Sequence, residues 1–294
     1  MGFVYEIKEG TEPYIELRGY EGRIEYLEIP ERLSDLPVRV IAARAFWRRQ
    51  DILSICLPPS VRELHAFAFY NCRNLRHLSL SDSVRDYHDG VLKLCEALRE
   101  IEIDFREGDF RLLKELLGDH DGGIRCHLHF PDGQEAELYF PDFADDFEED
   151  TYARALHERI EGSGYMYRQT VKRTELDFRQ YDRIFERGKH EALAIAARIA
   201  LSRLRYPYRL SEEAALPYRA YLMERNAALL SLLLAEGEEA SIRFLAREGL
   251  LTEEGIAAAL PFCAERRLAE LTAVLLNYRE AHFMRRSAPE TFVL

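Results

Sequence analysis

A 23-residue period in the first third of the chain limits the possible folds more than any other feature. A fixed period makes each residue inside it a spatial neighbour of its counterparts. Ile52-Leu53-Ser54-Ile55-Cys56-Leu57-Pro58-Pro59-Ser60-Val61 aligns with Leu75-Arg76-His77-Leu78-Ser79-Leu80-Ser81-Asp82-Ser83-Val84, and Leu98-Arg99-Glu100-Ile101-Glu102-Ile103 opens a third copy at the same offset. The pattern then stops. The second half of the unit repeats with it: Val38, Val61 and Val84; Ile41, Leu64 and Tyr87; Ala45, Ala68 and Val91; Phe46, Phe69 and Leu92. The first half alternates with period 2 and suits a short strand. The second half must turn back and bury its apolar side chains under the next copy. One such unit cannot fold alone, so the copies are expected to stack as a parallel coil with strands about 4.8 Å apart. Leu57, Leu80 and Ile103 should then form one continuous ladder.

Leu57-Pro58-Pro59-Ser60-Val61-Arg62-Glu63-Leu64 followed by Ala68-Phe69-Tyr70-Asn71-Cys72 resembles the BspA-like subclass of bacterial leucine-rich repeats. Their units read L-x-x-I-x-[IL]-P-x-S-V-x-x-I and then AF-x-x-C. The resemblance covers residues 20 to 103, and Arg18-Gly19-Tyr20-Glu21-Gly22 with Leu27-Glu28-Ile29-Pro30 is similar to the start of such arrays. Glu31 to Pro37 makes the first unit longer than its successors, and Ser60 and Ser83 stand where more familiar repeats carry asparagine, so no asparagine ladder is expected. The resemblance implies an interaction role, with a surface adhesin as a variant. Met1-Gly2-Phe3-Val4-Tyr5-Glu6 has neither the basic segment nor the apolar stretch of a secretory leader, so the expected location is cytoplasmic.

Repeat arrays need atypical ends to cover their edges. Phe3 to Ile7 and Tyr14 to Tyr20 read as two strands around a turn containing Gly10, an amino-terminal cap. Ile124 to Phe130 and Glu135 to Phe140 read as a hairpin around Pro131-Asp132-Gly133-Gln134, with Cys126, Leu128 and Phe130 sharing a face with Ala136, Leu138 and Phe140. Leu112, Leu113, Leu116 and Leu117 have helical spacing within Asp109 to Leu117, a helix placed to cover the last rung.

From about Thr151 the period changes to 3.6 and strands are expected to end. Helices are expected over His190 to Leu204, Ser211 to Arg225, Ala227 to Ala235, Glu238 to Glu248, Thr252 to Glu265 and Leu268 to Ala281. Ser211 and Thr252 are N-cap residues followed by Glu, Gly237 and Gly249 suit C-terminal caps, and Pro207 stops the helix before it. Arg247 to Ile256 is similar to the turn region of ankyrin-like helical repeats, and Ala273 to Tyr278 to their closing helix. The combination also resembles a group of bacterial proteins that join a short leucine-rich array to a helical tail. The expected fold class is α+β: a short leucine-rich repeat solenoid with parallel strands and β-hairpin caps over residues 1–145, then an all-α helical-repeat-like domain over 146–294.

Composition excludes several classes of function. Forty Lys plus Arg against 52 Asp plus Glu give a net charge of −12, and no basic run is evident, so nucleic acid is not an expected partner. The longest apolar stretch, Ala227 to Ala235, is half of the roughly 18 residues a membrane span requires. Five cysteines, at 56, 72, 95, 126 and 263, form no CxxC pair and suggest reduced thiols. Cys72 and Cys95 share a repeat column and read as buried apolar positions rather than a disulfide.

The motifs that could carry chemistry are incomplete. His190-Glu191 and His157-Glu158 begin like HExxH but lack the second histidine that zinc needs. His127 and His129 share one strand face and can chelate, but no third ligand is in view, so a solvated face is expected. Gly162-Ser163-Gly164-Tyr165 is neither a dinucleotide turn nor a nucleophile elbow, and the acidic run Asp142, Asp145, Asp146, Glu148, Glu149 and Asp150 lacks calcium-loop spacing. Trp47, Tyr165, Tyr167, Tyr206, Tyr208 and Tyr218 mark either a binding surface or the joint between the halves.

No catalytic residue, cofactor or metal is assigned from the sequence. The leading reading is a noncatalytic module that binds a protein or peptide. Its contacts are expected on strand positions pointing away from the core: Tyr26, Glu28, Ser54, His77, Ser79, Glu100 and Glu102. The alternative is an enzyme, for example a hydrolase, with His157, Ser163 and the acidic run in a site between the halves.

Overall fold

The structure, a computed structural model, describes residues 2–149 and 156–284. Strands β1 (Gly2–Lys8) and β2 (Tyr14–Glu21) form the antiparallel amino-terminal hairpin. The coil follows as β3 (Tyr26–Glu28), β4 (Arg32–Leu33), β5 (Leu36–Ile41), β6 (Ser54–Cys56), β7 (Glu63–Leu64), β8 (His77–Ser81), β9 (Asp86–Tyr87) and β10 (Glu100–Asp104). Helix α1 (Arg111–Asp119) leads to β11 (Ile124–His129) and β12 (Glu135–Phe140), and then to a separate hairpin of β13 (Ala144–Glu149) and β14 (Leu156–Glu161). The turns that begin with β3, β6 and β8 each contribute one strand to the front sheet and one, β5, β7 or β9, to the back sheet. The front sheet has the order β12-β11-β10-β8-β6-β3, and the back sheet β1-β2-β5-β7-β9 with β4 beside β5.

The register is the sequence period. Ile55 pairs with Leu78 and Leu78 with Ile101, Leu80 pairs with Ile103, and the Leu57 N–H donates to the Ser79 carbonyl at 2.8 Å. Leu57, Leu80 and Ile103 are therefore stacked and buried. The back sheet keeps the same offset, with Ile41 on Leu64 and Leu64 on Tyr87. The period stretches at both ends. Tyr26 pairs with Ser54, further along the chain than the repeat offset, because β4 and β5 insert a hairpin whose Ser34 and Asp35 lie at φ 48° and 62°. Ile103 pairs with Leu128, again beyond that offset, with α1 inserted between them. The array thus runs one rung past the point where its sequence pattern stops, and β11 is both the last parallel strand and the first arm of the expected hairpin. That hairpin sets Cys126 opposite Leu138 and Leu128 opposite Ala136 on the expected shared face, while Phe140 lies opposite Ile124.

The turning half of each rung has its own backbone repeat. Arg44, Phe67 and Gly90 lie at φ 59°, 61° and 71°, and Arg48, Asn71 and Leu94 at 58°, 59° and 62°. Of these only Gly90 and Asn71 are residue types that favour the left-handed region, and each of the others costs about 1 kcal/mol. Hydrogen bonds between rungs, such as Phe46 N–H to the Ala68 carbonyl at 2.8 Å and Phe69 N–H to the Val91 carbonyl at 3.1 Å, oppose that cost. Below them Phe46 and Phe69 stack at 5.6 Å. The Cys72 and Cys95 thiols donate to the Phe46 and Phe69 carbonyls at 3.1 and 3.2 Å, and burial pushes them up to about 12 and about 11. All five cysteines are free.

The carboxyl end of the coil is closed by helices. Leu112, Leu113, Leu116 and Leu117 of α1 are buried, as their spacing requires. Two further helices, α2 (Gly164–Arg168) and α3 (Phe178–Gly188), were not expected from the sequence, and β14 lies beyond the point where strands were expected to end. The Tyr139 N–H donates to the Tyr181 hydroxyl at 3.1 Å, and that hydroxyl donates to the Tyr139 carbonyl at 2.6 Å. Gly164 has no room for a side chain, since a Cβ would lie 2.3 Å from the Pro141 carbonyl oxygen. Because α2 and most of α3 belong to the strand-rich unit, that unit runs to Ile184 and takes in Tyr206–Arg209, rather than ending near residue 145. The second unit comprises Phe185–Arg205 and Leu210–Leu294.

His120, buried between α1 and β11, makes the strand unit sensitive to pH. Burial, aided by the Arg168 guanidinium, pushes its imidazole down to about 4. The unfolded chain, with a value near 6.5, takes up the proton first. Stability from this residue is therefore whole above about pH 6.5 and is lost as the pH falls towards about 4, by up to about 3 kcal/mol. Urea unfolding at pH 7 and pH 4.5 should show that loss in the native chain and a flatter pH dependence in His120→Gln; equal slopes in the two would show that His120 is not the cause.

The second unit holds helices α4 (Leu193–Arg205), α5 (Glu212–Glu224), α6 (Asn226–Glu236), α7 (Glu239–Arg247), α8 (Glu253–Glu265) and α9 (Ala269–His282). Their ends follow the expected capping: Ser211 accepts from the Ala214 N–H and Thr252 from the Gly255 N–H, while Gly237 is left-handed at the end of α6. Asn226 joins α6 to the α7–α8 turn. Its Nδ2 donates to the Leu250 carbonyl at 2.8 Å and its Oδ1 accepts from the Thr252 N–H at 3.0 Å. Gly255 makes that approach possible, since a Cβ there would sit 2.1 Å from Asn226 Oδ1. The fold is α+β, a parallel-strand solenoid followed in the chain by helices. No described helix is long and apolar enough to cross a membrane.

Candidate functional site: the outer face of the front sheet

Alternation sends every second side chain of the front sheet outward. The parallel register then gathers these side chains into rows. One row is Tyr26, Ser54, His77, Glu100 and Arg125; the next is Glu28, Cys56, Ser79, Glu102 and His127. All seven positions expected from the sequence therefore lie on one continuous face. Tyr26 is the most open of them, 67% exposed, and Glu28 is also exposed, whereas Ser54, His77, Ser79, Glu100 and Glu102 are half-buried by neighbouring strands.

The structure adds residues that were not assigned. Cys56 is exposed in the second row, and β11 contributes Arg125, His127 and His129, because the array continues beyond residue 103. The signal was present, since Ile124 to His129 alternates as Glu100 to Asp104 does.

A connected polar line crosses this face. Ser54 Oγ lies 3.3 Å from His77 Nδ1, and His77 Nε2 lies 3.5 Å from one oxygen of Glu102. The other Glu102 oxygen is 2.7 Å from His129 Nε2. His129 Nδ1 and His127 Nε2 each lie 3.3 Å from an oxygen of Glu135, directly across the hairpin from His129. The two imidazoles are stacked at 4.5 Å, and Tyr206 meets His127 edge-on at 4.7 Å. His127, His129 and Glu135 are the one group of three such residues, among those described, whose ligand atoms lie close enough to share a metal ion. The third ligand absent from the linear motif is thus supplied by the return strand.

The back sheet carries a second feature that the sequence reading missed. Arg39, Arg62 and Arg85 recur at the repeat offset and line a groove of about 760 Å³ together with Glu31, Glu63 and Asp86. The absence of a basic run therefore did not mean the absence of a basic column, because stacking creates one from isolated residues. Its charges are matched locally: Arg39 pairs with Glu12 at 2.7 Å, Arg85 with Glu107 at 3.0 Å, and Arg62 donates to the Pro59 and Ser83 carbonyls. Such a column is not a bare phosphate track.

Other residues singled out in the sequence are dispersed. Tyr167 and Tyr218 are fully buried, in the first and second units respectively, and Tyr208 stacks on Phe130 at 4.2 Å. Trp47 is exposed beneath the guanidinium groups of Arg44 and Arg48. Ser163 is buried at the start of α2, Asp142 is exposed, and the side chains of His157 and the rest of the acidic run lie outside the described residues.

Residues 20–107 match the family profile described as BspA type leucine rich repeat region, in six copies. Among solved structures the chain is similar to a leucine-rich repeat protein of T. pallidum, with 25% identity over 36% of this chain and 51% of that one and a TM-score of 0.32. It is also similar to a leucine-rich repeat protein from Bacteroides capillosus, with 25% identity over 35% and 83% of the two chains and a TM-score of 0.31. A leucine rich cell surface protein from Faecalibacterium prausnitzii matches with 23% identity over 34% and 31%, at a TM-score of 0.30. The match spans about half the length of the T. pallidum protein. No curated protein matches the chain. The helices of the second unit lie outside the residues matched to the repeat family.

Proposed function

Because residues 20–107 form a BspA-type leucine-rich repeat array, we propose that the chain is a noncatalytic interaction module that binds a protein or peptide on the outer face of its front sheet. The observation that carries this reading is the continuity of that face. Tyr26, Glu28, Ser54, His77, Ser79, Glu100 and Glu102 occupy adjacent rows on strands whose backbone groups are engaged with one another. A partner lying across the face must therefore be recognised by side chains, and the exposed Tyr26 ring beside carboxylates is the kind of anchor such interfaces use. The compartment we favour is a reducing cytoplasm, a choice supported by five free thiols, of which Cys72 and Cys95 bond to backbone carbonyls.

The test is affinity capture from a native lysate with the wild type and with a Tyr26→Ala, Glu28→Ala, Glu100→Ala variant. Far-UV circular dichroism establishes that both are folded. Partners retained by the wild type and reduced about tenfold or more in the variant are the expected result. Recovery of the same partners by both forms removes this contact list.

One observation favours an enzyme as the second reading: Ser54, His77 and Glu102 stand in line, as a nucleophile, base and orienting acid do. The arrangement lies on a sheet whose parallel ladders engage the backbone of β6, β8 and β10, which leaves no evident pair of donors for a developing oxyanion. For that reason the binding reading ranks first. Ester hydrolysis abolished by Ser54→Ala would reverse the order.

A further inference from the structure

The end of the front sheet holds an arrangement that hydrogen bonds alone do not complete. His129 Nε2 is 2.7 Å from a Glu102 oxygen, a contact that requires the proton to sit on Nε2. In a neutral imidazole, Nδ1 is then a bare acceptor. Yet Nδ1 faces another acceptor, a Glu135 oxygen, at 3.3 Å. A cation held between the two atoms satisfies both. The ring of His127, stacked on that of His129 at 4.5 Å, brings its Nε2 to 3.3 Å from the other oxygen of the same carboxylate. The spacing suits a metal: each histidine nitrogen lies 3.3 Å from one of the two Glu135 oxygens, and one ligand atom from each of the three residues lies within 4.8 Å of the others. Ligand atoms about 2.0–2.1 Å from a tetrahedral zinc ion are about 3.3–3.4 Å from each other. The charge also fits, since the carboxylates of Glu102 and Glu135 with two neutral imidazoles balance one divalent cation.

We propose that His127 through Nε2, His129 through Nδ1 and Glu135 through its carboxylate bind a divalent cation of the zinc type. Glu102 is the outer partner that orients His129, as carboxylates do for metal-bound histidines. Three protein ligands leave a fourth position open to solvent or to a donor from a bound partner. The site does not depend on the contact list above, because none of the three ligands belongs to it. It also gives the two-histidine strand a role that its linear sequence left incomplete.

Titration of the full chain with Co²⁺, followed by visible absorption and by calorimetry, tests the proposal, with Zn²⁺ as competitor. One ion should bind per chain, with a visible band of nitrogen and oxygen ligation and without the thiolate charge-transfer band that the exposed Cys56 would produce. His129→Ala and Glu135→Gln should each weaken binding by at least about 100-fold, and Glu102→Gln by about tenfold. The wild-type titration does not depend on any variant folding. Absence of saturable binding in the wild type, a thiolate band, or unchanged affinity in His127→Ala and His129→Ala overturns the site. Binding that survives Glu102→Gln at full strength overturns the orienting role.

Discussion

Arg168→Met should lower the stability of the strand unit by about 4 kcal/mol, measured as the shift in its urea unfolding free energy. The effect is large because one buried guanidinium closes the carboxyl end of the coil. Its Nε donates to the Leu117 carbonyl at 3.3 Å, and its Nη2 to those of His120 and Gly122 at 3.1 and 2.8 Å. Its Nη1 donates to the carbonyls of Gly164 and Pro141, and the group lies over the Phe143 ring at 4.8 Å. These carbonyls belong to the end of α1, the turn into β11, the segment after β12 and the start of α2. A single side chain thus satisfies acceptors from four separate stretches of backbone. Methionine preserves most of the volume but removes every donor, so the acceptors stay buried without partners. Arg168→Lys should recover only part of the loss, because one ammonium cannot reach acceptors arranged for a planar fork. A change below about 1 kcal/mol in Arg168→Met would mean that water replaces the guanidinium without cost.

Phe69→Ala should cost a similar amount, about 4 kcal/mol, by removing a fully buried ring from the middle of the stack. Phe46 lies against one face of that ring at 5.6 Å, and the surrounding column includes Ala68, Cys72 and Leu92, all buried. The following rung is fixed by hydrogen bonds through Phe69 itself, from its N–H to the Val91 carbonyl and from Cys95 Sγ to the Phe69 carbonyl, and the preceding rung by the Phe46 N–H to the Ala68 carbonyl, so the backbone cannot collapse into the cavity. Phe46→Ala, one rung nearer the amino-terminal cap, should cost less, since its neighbourhood has more freedom to relax. The double variant should lose less than the sum of the two, because both rings contribute to the same contact. Additive losses within about 0.5 kcal/mol would show that the two rungs are not coupled.

Arg168 and Phe69 differ in how visible they are before folding. Phe69 recurs with Phe46 at the repeat offset, and the offset alone makes them vertical neighbours. The same reasoning orders Leu57, Leu80 and Ile103, and it would have revealed Arg39, Arg62 and Arg85 had charged columns been followed as apolar ones were. The outward face was legible for a related reason: with alternation and the offset known, Ser54, His77 and Glu100 must share a row, whereas Tyr26 joins it only through the longer first unit. Arg168 has no counterpart at any offset, and nothing local announces that it will be buried, because its more distant partners are carbonyls far earlier in the chain, from Leu117 to Pro141.

The metal-ligand cluster lies between these extremes. Hairpin register around Pro131-Asp132-Gly133-Gln134 places Glu135 opposite His129, which was legible once the turn was fixed. Glu102 was not, because the last rung is set further along the chain than the repeat offset, and a helix fills the difference. Likewise β14 and α2 have too few residues for periodicity to announce them, whereas α3 carries Phe178, Tyr181, Ile184 and Phe185 at helical spacing and was legible in the sequence.

Taken alone, the sequence determined the stacking, since a repeated pattern of apolar residues can be buried only by its own copies, and it determined the helix ends wherever a side chain caps its own backbone. The tertiary structure decided how the coil terminates, where the first unit ends and which polar groups converge beside β11. Those outcomes rest on single contacts between distant segments, and a contact that occurs once leaves no period in the chain to read.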